Sequence, residues 1–164
     1  MFEKPFYNFL YSLFLVGLTA TISSYFNGIG MESFYRNIQL SALNPPDYVF
    51  PIVWLILYVL LIISFDMILN HPDKKAIRPA AQTFTVNMFL QVLWCYVFFA
   101  NGYFLVGFAI LVVLNIVNMF MISLFYQLNK TAAWLLVPYQ LWLLFAAYLN
   151  WAVADLNGAM YNFG

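Results

Sequence analysis

The spacing of charged residues is the feature of this sequence that most limits how the chain can fold. No charge lies between Lys4 and Glu32, between Arg78 and Lys130, or between Lys130 and Asp155. Only 7% of the 164 residues are charged and 65% are hydrophobic, whereas about a quarter of the residues in a soluble domain are charged. A run of about 20 apolar residues is enough for a helix to cross the hydrocarbon of a bilayer. The sequence therefore predicts an integral membrane protein.

The apolar runs predict five transmembrane helices in a single domain over residues 1–164. The uncharged run that follows Arg78 is too long for one crossing, and Asn101-Gly102 provides a natural turn within it. Helices are favoured over a barrel because the alternation of barrel strands is absent. A cleaved signal peptide is the alternative for the first span, but the apolar run exceeds the usual core of about 7–15 residues. We expect an all-α five-helix bundle with a long loop at 27–47, its spans lying at 6–26, 48–69, 80–100, 103–128 and 132–155.

The basic residues predict the orientation of the chain in the membrane. With five spans, Arg36 alone lies on one side, and five basic residues lie on the side of the N-terminus: Lys4, Lys74, Lys75, Arg78 and Lys130. Cytoplasmic loops carry the excess of lysine and arginine, so a cytoplasmic N-terminus is predicted and the loop at 27–47 is external. We expect a multi-pass protein of a bacterial cell membrane.

A pair of prolines, Pro45-Pro46, stands directly before the apolar, aromatic second span. Proline is tolerated in the first turn of a helix but not in its interior, so the prolines predict a rigid junction between the external loop and helix 2. Asp47 is suited to the positive end of the helix dipole. Trp54 and Tyr58 lie one helical turn apart beyond this junction, so both rings lie on one helix face. An ordinary loop-to-helix connection is the alternative that this stretch alone leaves open.

Aromatic and proline motifs spaced along the chain resemble one family. Trp94 followed by Phe98-Phe99 is similar to its third-helix motif, and AAWLLVPYQLWLLFAAYLN, over Ala132 to Asn150, is similar to its fifth helix almost residue for residue. The motif of the first loop and second helix is matched by Phe34-Tyr35, Ile38, Leu43, Pro45-Pro46, Phe50, Val53-Trp54 and Leu57-Tyr58. This ordered set, over roughly residues 6–157, resembles the TspO/MBR family, which comprises the tryptophan-rich sensory proteins and the translocator protein (peripheral-type benzodiazepine receptor).

The resemblance implies a ligand pocket in the external half of the bundle, covered by the first loop. Its ligands would be porphyrins and haem-type tetrapyrroles, sterols or other flat apolar molecules. The residues support such a pocket independently, because aromatic side chains share a face on three helices and Ala146 leaves room beside them. Gln91 and Asn150 are expected to form hydrogen bonds with a ligand. The candidate ligand-binding residues are Leu43, Phe50, Trp54, Tyr58, Gln91, Trp94, Phe98, Trp142, Phe145, Ala146 and Asn150.

The sequence also departs from the family pattern. Leu43 stands where a tryptophan is usual, Pro51-Ile52 replaces Gly-Pro, and Gln91 replaces an asparagine. The first two departures lie at the lid of the implied pocket and put its ligand preference in doubt. Mammalian relatives carry a sterol motif at the end of helix 5, and Asp155 stands here in place of its arginine, so cholesterol binding at that place is not supported.

Few residues suggest catalysis or metal binding. Asp66 and His71 lie at or near the predicted cytoplasmic loop, where an interfacial acid and a solvated histidine are the simpler interpretations. The single cysteine, Cys95, lies in an apolar run and is expected to be a packed thiol. We therefore expect no catalytic group, no metal site and no obligatory cofactor. The net charge of zero provides no basic surface for nucleic acid.

Three functions are compatible with these observations. The leading one is a membrane receptor or binding protein for porphyrins, with sterols as a further class of flat apolar ligand, and with a sensing or transport role. One alternative is an enzyme that degrades a bound porphyrin in a reaction that depends on light or oxygen. The other is a structural or interaction protein whose aromatic side chains only pack helices together.

The expected partners are membrane lipids and a small molecule, and the chain is expected to be a monomer or a homodimer. Relatives often dimerise through small residues on helix 3, which allow two helices to approach closely. Gln82 and Val86 stand at the corresponding positions here and do not permit that contact. A dimer would therefore use another face.

Overall fold

The computed structural model describes residues 4–161 and is entirely helical in its regular structure over that range. Five segments are long and apolar enough to span a membrane, which confirms the predicted all-α, five-helix architecture. The third span continues from α3 into a π-helical turn, and the fifth span consists of two consecutive helices, α5 and α6. The elements are α1 (Pro5–Ser33), a 3₁₀ turn (Tyr35–Asn37), α2 (Val49–Leu69), α3 (Lys74–Cys95) with the π turn (Tyr96–Ala100), α4 (Phe104–Leu128), α5 (Lys130–Leu135) and α6 (Val137–Asn157).

The loops before α3 and before α5 lie on the same side of the bundle as the N-terminus, and each contains a side chain that caps the following helix. The Asp73 carboxylate accepts hydrogen bonds from the backbone N–H groups of Lys75 and Ala76 at 3.0 and 3.1 Å. This cap explains why α3 begins at Lys74 rather than at 80, with Pro79 inside the helix near its start. Asn129 caps α5 in the same manner by accepting from the N–H of Ala132 at 3.1 Å.

The predicted turn between the third and fourth spans is confirmed at Asn101-Gly102. Gly102 has a φ of +65°, in the left-handed region that glycine adopts at little cost. Its N–H donates to the carbonyl of Phe98 at 3.0 Å, and this bond closes the end of the π turn.

The first helix is longer than the sequence predicted, because it ends at Ser33 rather than at 26. Gly30, beyond the predicted end, lies where α1 closely approaches the π turn. A Cβ atom there would lie 2.8 Å from the Phe99 carbonyl oxygen and 2.9 Å from its Cβ. The predicted external loop at 27–47 therefore begins at Phe34 and includes the 3₁₀ turn.

The fifth span is interrupted, whereas the sequence predicted one helix over 132–155. Leu136 separates α5 from α6. Its N–H donates to the carbonyl of Ala133 at 3.1 Å, three residues earlier, so the turn here is tighter than that of an α-helix. Pro138 lies in the first turn of α6, where its missing N–H costs nothing. In α2, which begins at Val49, Pro51 occupies a similar first-turn position.

The half of the bundle that contains the α2–α3 and α4–α5 connections is tightly packed. The rings of Phe65 and Phe84 are stacked with their centroids 3.9 Å apart, and Phe84 also packs against Phe125. The Ser64 hydroxyl donates to the carbonyl of Ala132 at 2.8 Å and so joins α2 to α5. The other half, beside the loop after α1, encloses a cavity.

Two polar groups near the N-terminal-side connections have simple structural roles. The Asp66 carboxylate accepts from the Asn70 amide at 3.0 Å. The Lys74 ammonium donates to the backbone carbonyls of Leu69 and His71 at 3.4 and 3.1 Å. The His71 imidazole accepts from the N–H of Asp73 at 3.2 Å within the loop.

The face of α3 that carries Gln82 and Val86 points outward. Gln82 is exposed and Val86 is 49% exposed. The assembly state of the chain stays a prediction.

The contact of α1 with the π turn predicts opposite effects for two Gly→Ala substitutions in the same helix. Gly30→Ala forces Cβ against the Phe99 backbone, so we expect a loss of about 1–3 kcal/mol in stability. Gly17→Ala meets no atom within 4 Å and should be neutral or slightly stabilising, because alanine favours a helix. Thermal unfolding in detergent compares the two variants, and equal melting temperatures would contradict the proposed close contact.

Candidate ligand-binding cavity

A cavity of about 550 Å³ lies between α1, α2, the end of α3 and α6, beside the loop that joins α1 to α2. Its volume is within the range of about 300–1,000 Å³ that is usual for small-molecule sites. The cavity extends to the lipid-facing surface between α1 and α2, where Gly28, Pro51 and Leu55 are lining residues that remain exposed. A ligand dissolved in the bilayer would meet the cavity there.

Nine of the eleven candidate residues line this cavity. They come from α2, from α3 with its π turn, and from α6, and the nine are Phe50, Trp54, Tyr58, Gln91, Trp94, Phe98, Trp142, Ala146 and Asn150.

Leu43 is the first candidate that lies outside the cavity. The loop turns at this point, since the N–H of Asn44 bonds to the carbonyl of Ser41 at 2.9 Å. The turn directs Leu43 outward, where 64% of its surface is exposed. The sequence placed Leu43 at the lid because of its position in the loop motif, and that placement is wrong.

Phe145 is the second candidate outside the cavity. The face of α6 toward the cavity carries Trp142, Ala146 and Val153. At three residues from Trp142, Phe145 projects to one side of that face and packs against the rings of Trp142 and Tyr148, at centroid distances of 5.6 and 6.4 Å. Phe145 therefore packs against the wall residue Trp142 but does not line the cavity itself.

The α1 wall of the cavity was absent from the candidate residues. This wall contains Ala20, Ser23, Ser24, Asn27, Gly28 and Met31. Ser23 and Asn27 lie one turn apart, and this spacing of polar groups on an apolar helix was the available signal. Because helix 1 was predicted to end at 26, Asn27 was assigned to the loop and its place on the same helix face as Ser23 was missed.

The tryptophan and tyrosine rings form a continuous aromatic wall. Trp54 is stacked near Tyr58 with centroids 5.5 Å apart and meets Trp142 edge to face at 6.4 Å. Phe50 also packs edge to face against Trp142, at 5.9 Å. Such ring pairs contribute about 0.5–1.5 kcal/mol each beyond the burial of their area, so they hold the wall in place.

Asn150 joins three helices at the cavity wall. Its side-chain oxygen accepts from the Trp94 indole N–H at 2.9 Å, and its amide nitrogen donates to the carbonyl of Phe104 at 2.7 Å. Asn150 is only 2% exposed. The structure thus gives this amide partners within the protein and fixes the plane of the Trp94 ring.

Gln91, like Asn150, is a buried amide at the cavity wall that forms hydrogen bonds to side chains of other helices. Its amide nitrogen donates to the Tyr58 hydroxyl at 2.7 Å, and its oxygen accepts from the Tyr139 hydroxyl at 3.2 Å. Gln91 is fully buried. The predicted hydrogen bond from Gln91 to a ligand stays a prediction, and the structure shows a bond that positions Tyr58.

Among the described lining residues, Asp47 is the only one with a charged side chain. It lies at the mouth of the cavity, immediately before α2. Burial raises the pKa of nearby Tyr35 from its usual 10.0 to about 12, and the negative charge of Asp47 adds to this rise. The Tyr35 phenol therefore stays uncharged to a higher pH than an exposed tyrosine does.

The described residues contain no group of three or more histidine, cysteine or acidic side chains placed to hold a metal ion. Cys95 is buried and lines the cavity as a single thiol.

The fold and the cavity define a class of protein: a multi-pass membrane protein with five spans and a tryptophan-walled, ligand-sized cavity. Comparison with known proteins assigns the family. The model of the TspO/MBR family matches residues 11–156, and the chain belongs to this family.

Several curated relatives share most of their length with the chain. The tryptophan-rich protein TspO of Chlorobaculum tepidum is 32% identical over 76% of this chain and 79% of the relative. TspO of Archaeoglobus fulgidus is 31% identical over 82% and 86%, respectively. A tryptophan-rich sensory protein of Cereibacter sphaeroides is 27% identical over 92% of this chain and 94% of the relative.

The Asn150 network predicts a large effect for its removal. Asn150→Leu leaves the Trp94 N–H buried without its partner and removes the bond to the Phe104 carbonyl, so we expect a loss of about 1–3 kcal/mol in stability. Gln82→Leu is the control, because that side chain is exposed on α3 and should tolerate the change. Thermal unfolding and near-ultraviolet circular dichroism compare the two. Equal stability and an unaltered tryptophan signal in Asn150→Leu would refute this role.

Proposed function

We propose that the protein is a membrane receptor or binding protein for porphyrins and other flat apolar molecules, with a sensing or transport role. The observation that carries the proposal is the cavity of about 550 Å³ with Trp54, Trp94 and Trp142 in its walls. Aromatic walls offer a flat ring system dispersion contact and offset stacking over its faces. Sterols are a further candidate class on the same argument.

The position of the cavity supports the handling of a lipid-soluble ligand. The gap between α1 and α2 faces the hydrocarbon, and the opposite end meets the external loop. A molecule in the bilayer could reach the aromatic walls without crossing the packed half of the bundle. The sensory role is supported by the name of the Cereibacter relative.

We infer a cytoplasmic N-terminus in a bacterial cell membrane from the distribution of basic residues. Lys74, Lys75 and Arg78 lie at the start of α3, on the same side of the bundle as Lys4 and Lys130. The excess of positive charge is expected on the cytoplasmic side. The cavity then lies in the outer half of the bilayer.

Tryptophan fluorescence tests the proposed ligand directly. Protoporphyrin IX should quench the fluorescence saturably in detergent, and the double variant Trp54→Phe/Trp142→Phe should bind it at least about tenfold more weakly because two ring contacts are altered. The matched control is Trp134→Phe/Trp151→Phe, since these two tryptophans are exposed and do not line the cavity.

The control variant should retain the affinity of the wild type. Quenching that does not saturate, or that is weakened equally in both double variants, would exclude specific binding in this cavity.

A second experiment separates ligand binding from a purely structural role of the aromatic residues. Ala146→Leu adds a side chain that projects toward the cavity, so we expect an almost unchanged melting temperature and a loss of stabilisation by porphyrin. Ala133→Leu is the control, because Ala133 is buried in α5 among packed residues and overpacking there should lower stability by about 1–3 kcal/mol. If Ala146→Leu lowers stability and leaves porphyrin stabilisation intact, the structural role is favoured.

A further inference from the structure

The outward side of α3 carries a stripe of side chains that changes from charged to amide to apolar along the helix. Lys75, Arg78 and Gln82 lie three and four residues apart, and Val86 and Phe89 continue the same helix face. All five side chains are exposed, Phe89 to 64%. The five residues, which we call the α3 stripe, therefore form one continuous surface on the outside of the bundle.

The polar members of the α3 stripe have no partner within the part of the chain that the structure describes. The side chains of Lys75, Arg78 and Gln82 form neither an ion pair nor a hydrogen bond there. Asp73 is the acid nearest to them in the sequence, but its carboxylate accepts from backbone N–H groups in the first turn of α3. The two basic side chains are therefore available to an anion from outside the protein.

The other described basic residues on this side of the bundle already have contacts within the chain. The Lys74 ammonium donates to two backbone carbonyls just before α3, at 3.4 and 3.1 Å. Lys4 and Lys130 lie over tyrosine rings, at 5.8 and 5.5 Å from the ring centroids. Lys75 and Arg78 differ from these three residues because no group of the described chain contacts their charges.

The order of chemistry along the α3 stripe is the order of chemistry in a phospholipid. A helix rises about 1.5 Å per residue, so Gln82 lies about 6 Å beyond Arg78 along the axis, and Phe89 lies about 10 Å beyond Gln82. Phosphate, ester carbonyls and acyl chain follow one another in the same sequence in a lipid. The distance from Arg78 to Phe89 is close to half of the hydrocarbon core, which is roughly 30 Å thick. The stripe thus matches one leaflet of the membrane.

We propose that the α3 stripe is a binding site for an anionic phospholipid. Lys75 and Arg78 hold the phosphate and the anionic headgroup, Gln82 donates to an ester carbonyl, and an acyl chain lies along Val86 and Phe89. A zwitterionic lipid binds more weakly, because its headgroup brings a positive charge beside the two basic side chains. None of the five residues lines the cavity, so the site is independent of the porphyrin proposal.

Charge favours a lipid over a second copy of the chain on this surface. A symmetric dimer buries the same patch of both subunits. Two copies that met through the α3 stripe would bring Lys75 and Arg78 of one chain close to the same residues of the other, and these like charges repel. An anionic lipid neutralises them instead.

Native mass spectrometry of the protein in detergent tests the site by competition between two lipids. Equimolar phosphatidylglycerol and phosphatidylcholine with identical palmitoyl and oleoyl chains are added, and the species that retain one lipid are compared. We expect the wild type to prefer phosphatidylglycerol by about five- to thirtyfold, since each basic side chain near a membrane surface contributes about fivefold in affinity for anionic lipid.

Variants of equal charge locate the preference. Lys75→Gln/Arg78→Gln should reduce it to within about twofold, whereas Lys4→Gln/Lys130→Gln, which removes the same charge from the same side of the bundle, should retain it. Gln82→Leu should lower the retention of both lipids by about two- to tenfold and leave their ratio unchanged, because both lipids carry ester carbonyls. Melting temperatures without added lipid should match that of the wild type, since every replaced side chain is exposed.

Three results would overturn the proposal. The first is a wild type that shows no preference between the two lipids. The second is an equal loss of preference in the two double variants, which would indicate diffuse attraction to the whole basic end of the bundle. The third is a dimer in the same spectra that Gln82→Leu abolishes, because this would assign the α3 stripe to a second copy of the chain.

Discussion

Buried amide side chains hold the helices of this bundle in register. Gln91 bonds to Tyr58 and Tyr139, and the Tyr139 hydroxyl also donates to Asn87 at 2.9 Å. The network continues through Asn118, which donates to Gln140 at 2.9 Å, and Gln140 donates to Asn115 at 2.7 Å. In hydrocarbon no water satisfies such groups, so the partners have to come from neighbouring helices. Each bond contributes little, about 0.6 kcal/mol on average in membranes, but together they fix which faces of α2, α3, α4 and α6 meet.

This constraint explains how one half of the bundle can contain a cavity. The half toward the short connections is closed by stacked phenylalanines, of which Phe65 and Phe84 are the closest pair. In the other half the amides of Gln91 and Asn150 keep the rings of Tyr58 and Trp94 at the wall. The walls are therefore formed before a ligand arrives, and preorganisation of this kind lowers the cost of ordering side chains on binding.

The spacing of charges was sufficient to predict the five spans, because uncharged runs indicate where the chain crosses the membrane. The spacing of aromatic residues identified nine of the residues that line the cavity, because it shows which side chains share a helix face. The Asn87 amide donates to Asn118 at 3.4 Å and so joins α3 to α4, a pairing that spacing within one helix does not identify. The errors arose where tertiary contacts override local signals. Helix 1 was predicted to end at 26, but it continues to Ser33 and packs closely against Phe99 at Gly30. Neither the outward turn at Leu43 nor the side of α6 on which Phe145 lies is encoded in spacing alone, because both depend on how the loop and α6 pack.

A structure of the protein determined with bound protoporphyrin IX would test the central claim most directly. The claim predicts density for one flat ring system that has Trp54 and Trp142 on one side and α1 on the other. It also predicts that the tryptophan and tyrosine side chains of the wall keep the positions that they have without ligand. Density for the porphyrin only against the exposed rings of Trp134 or Trp151, with the cavity closed by its own side chains, would contradict it.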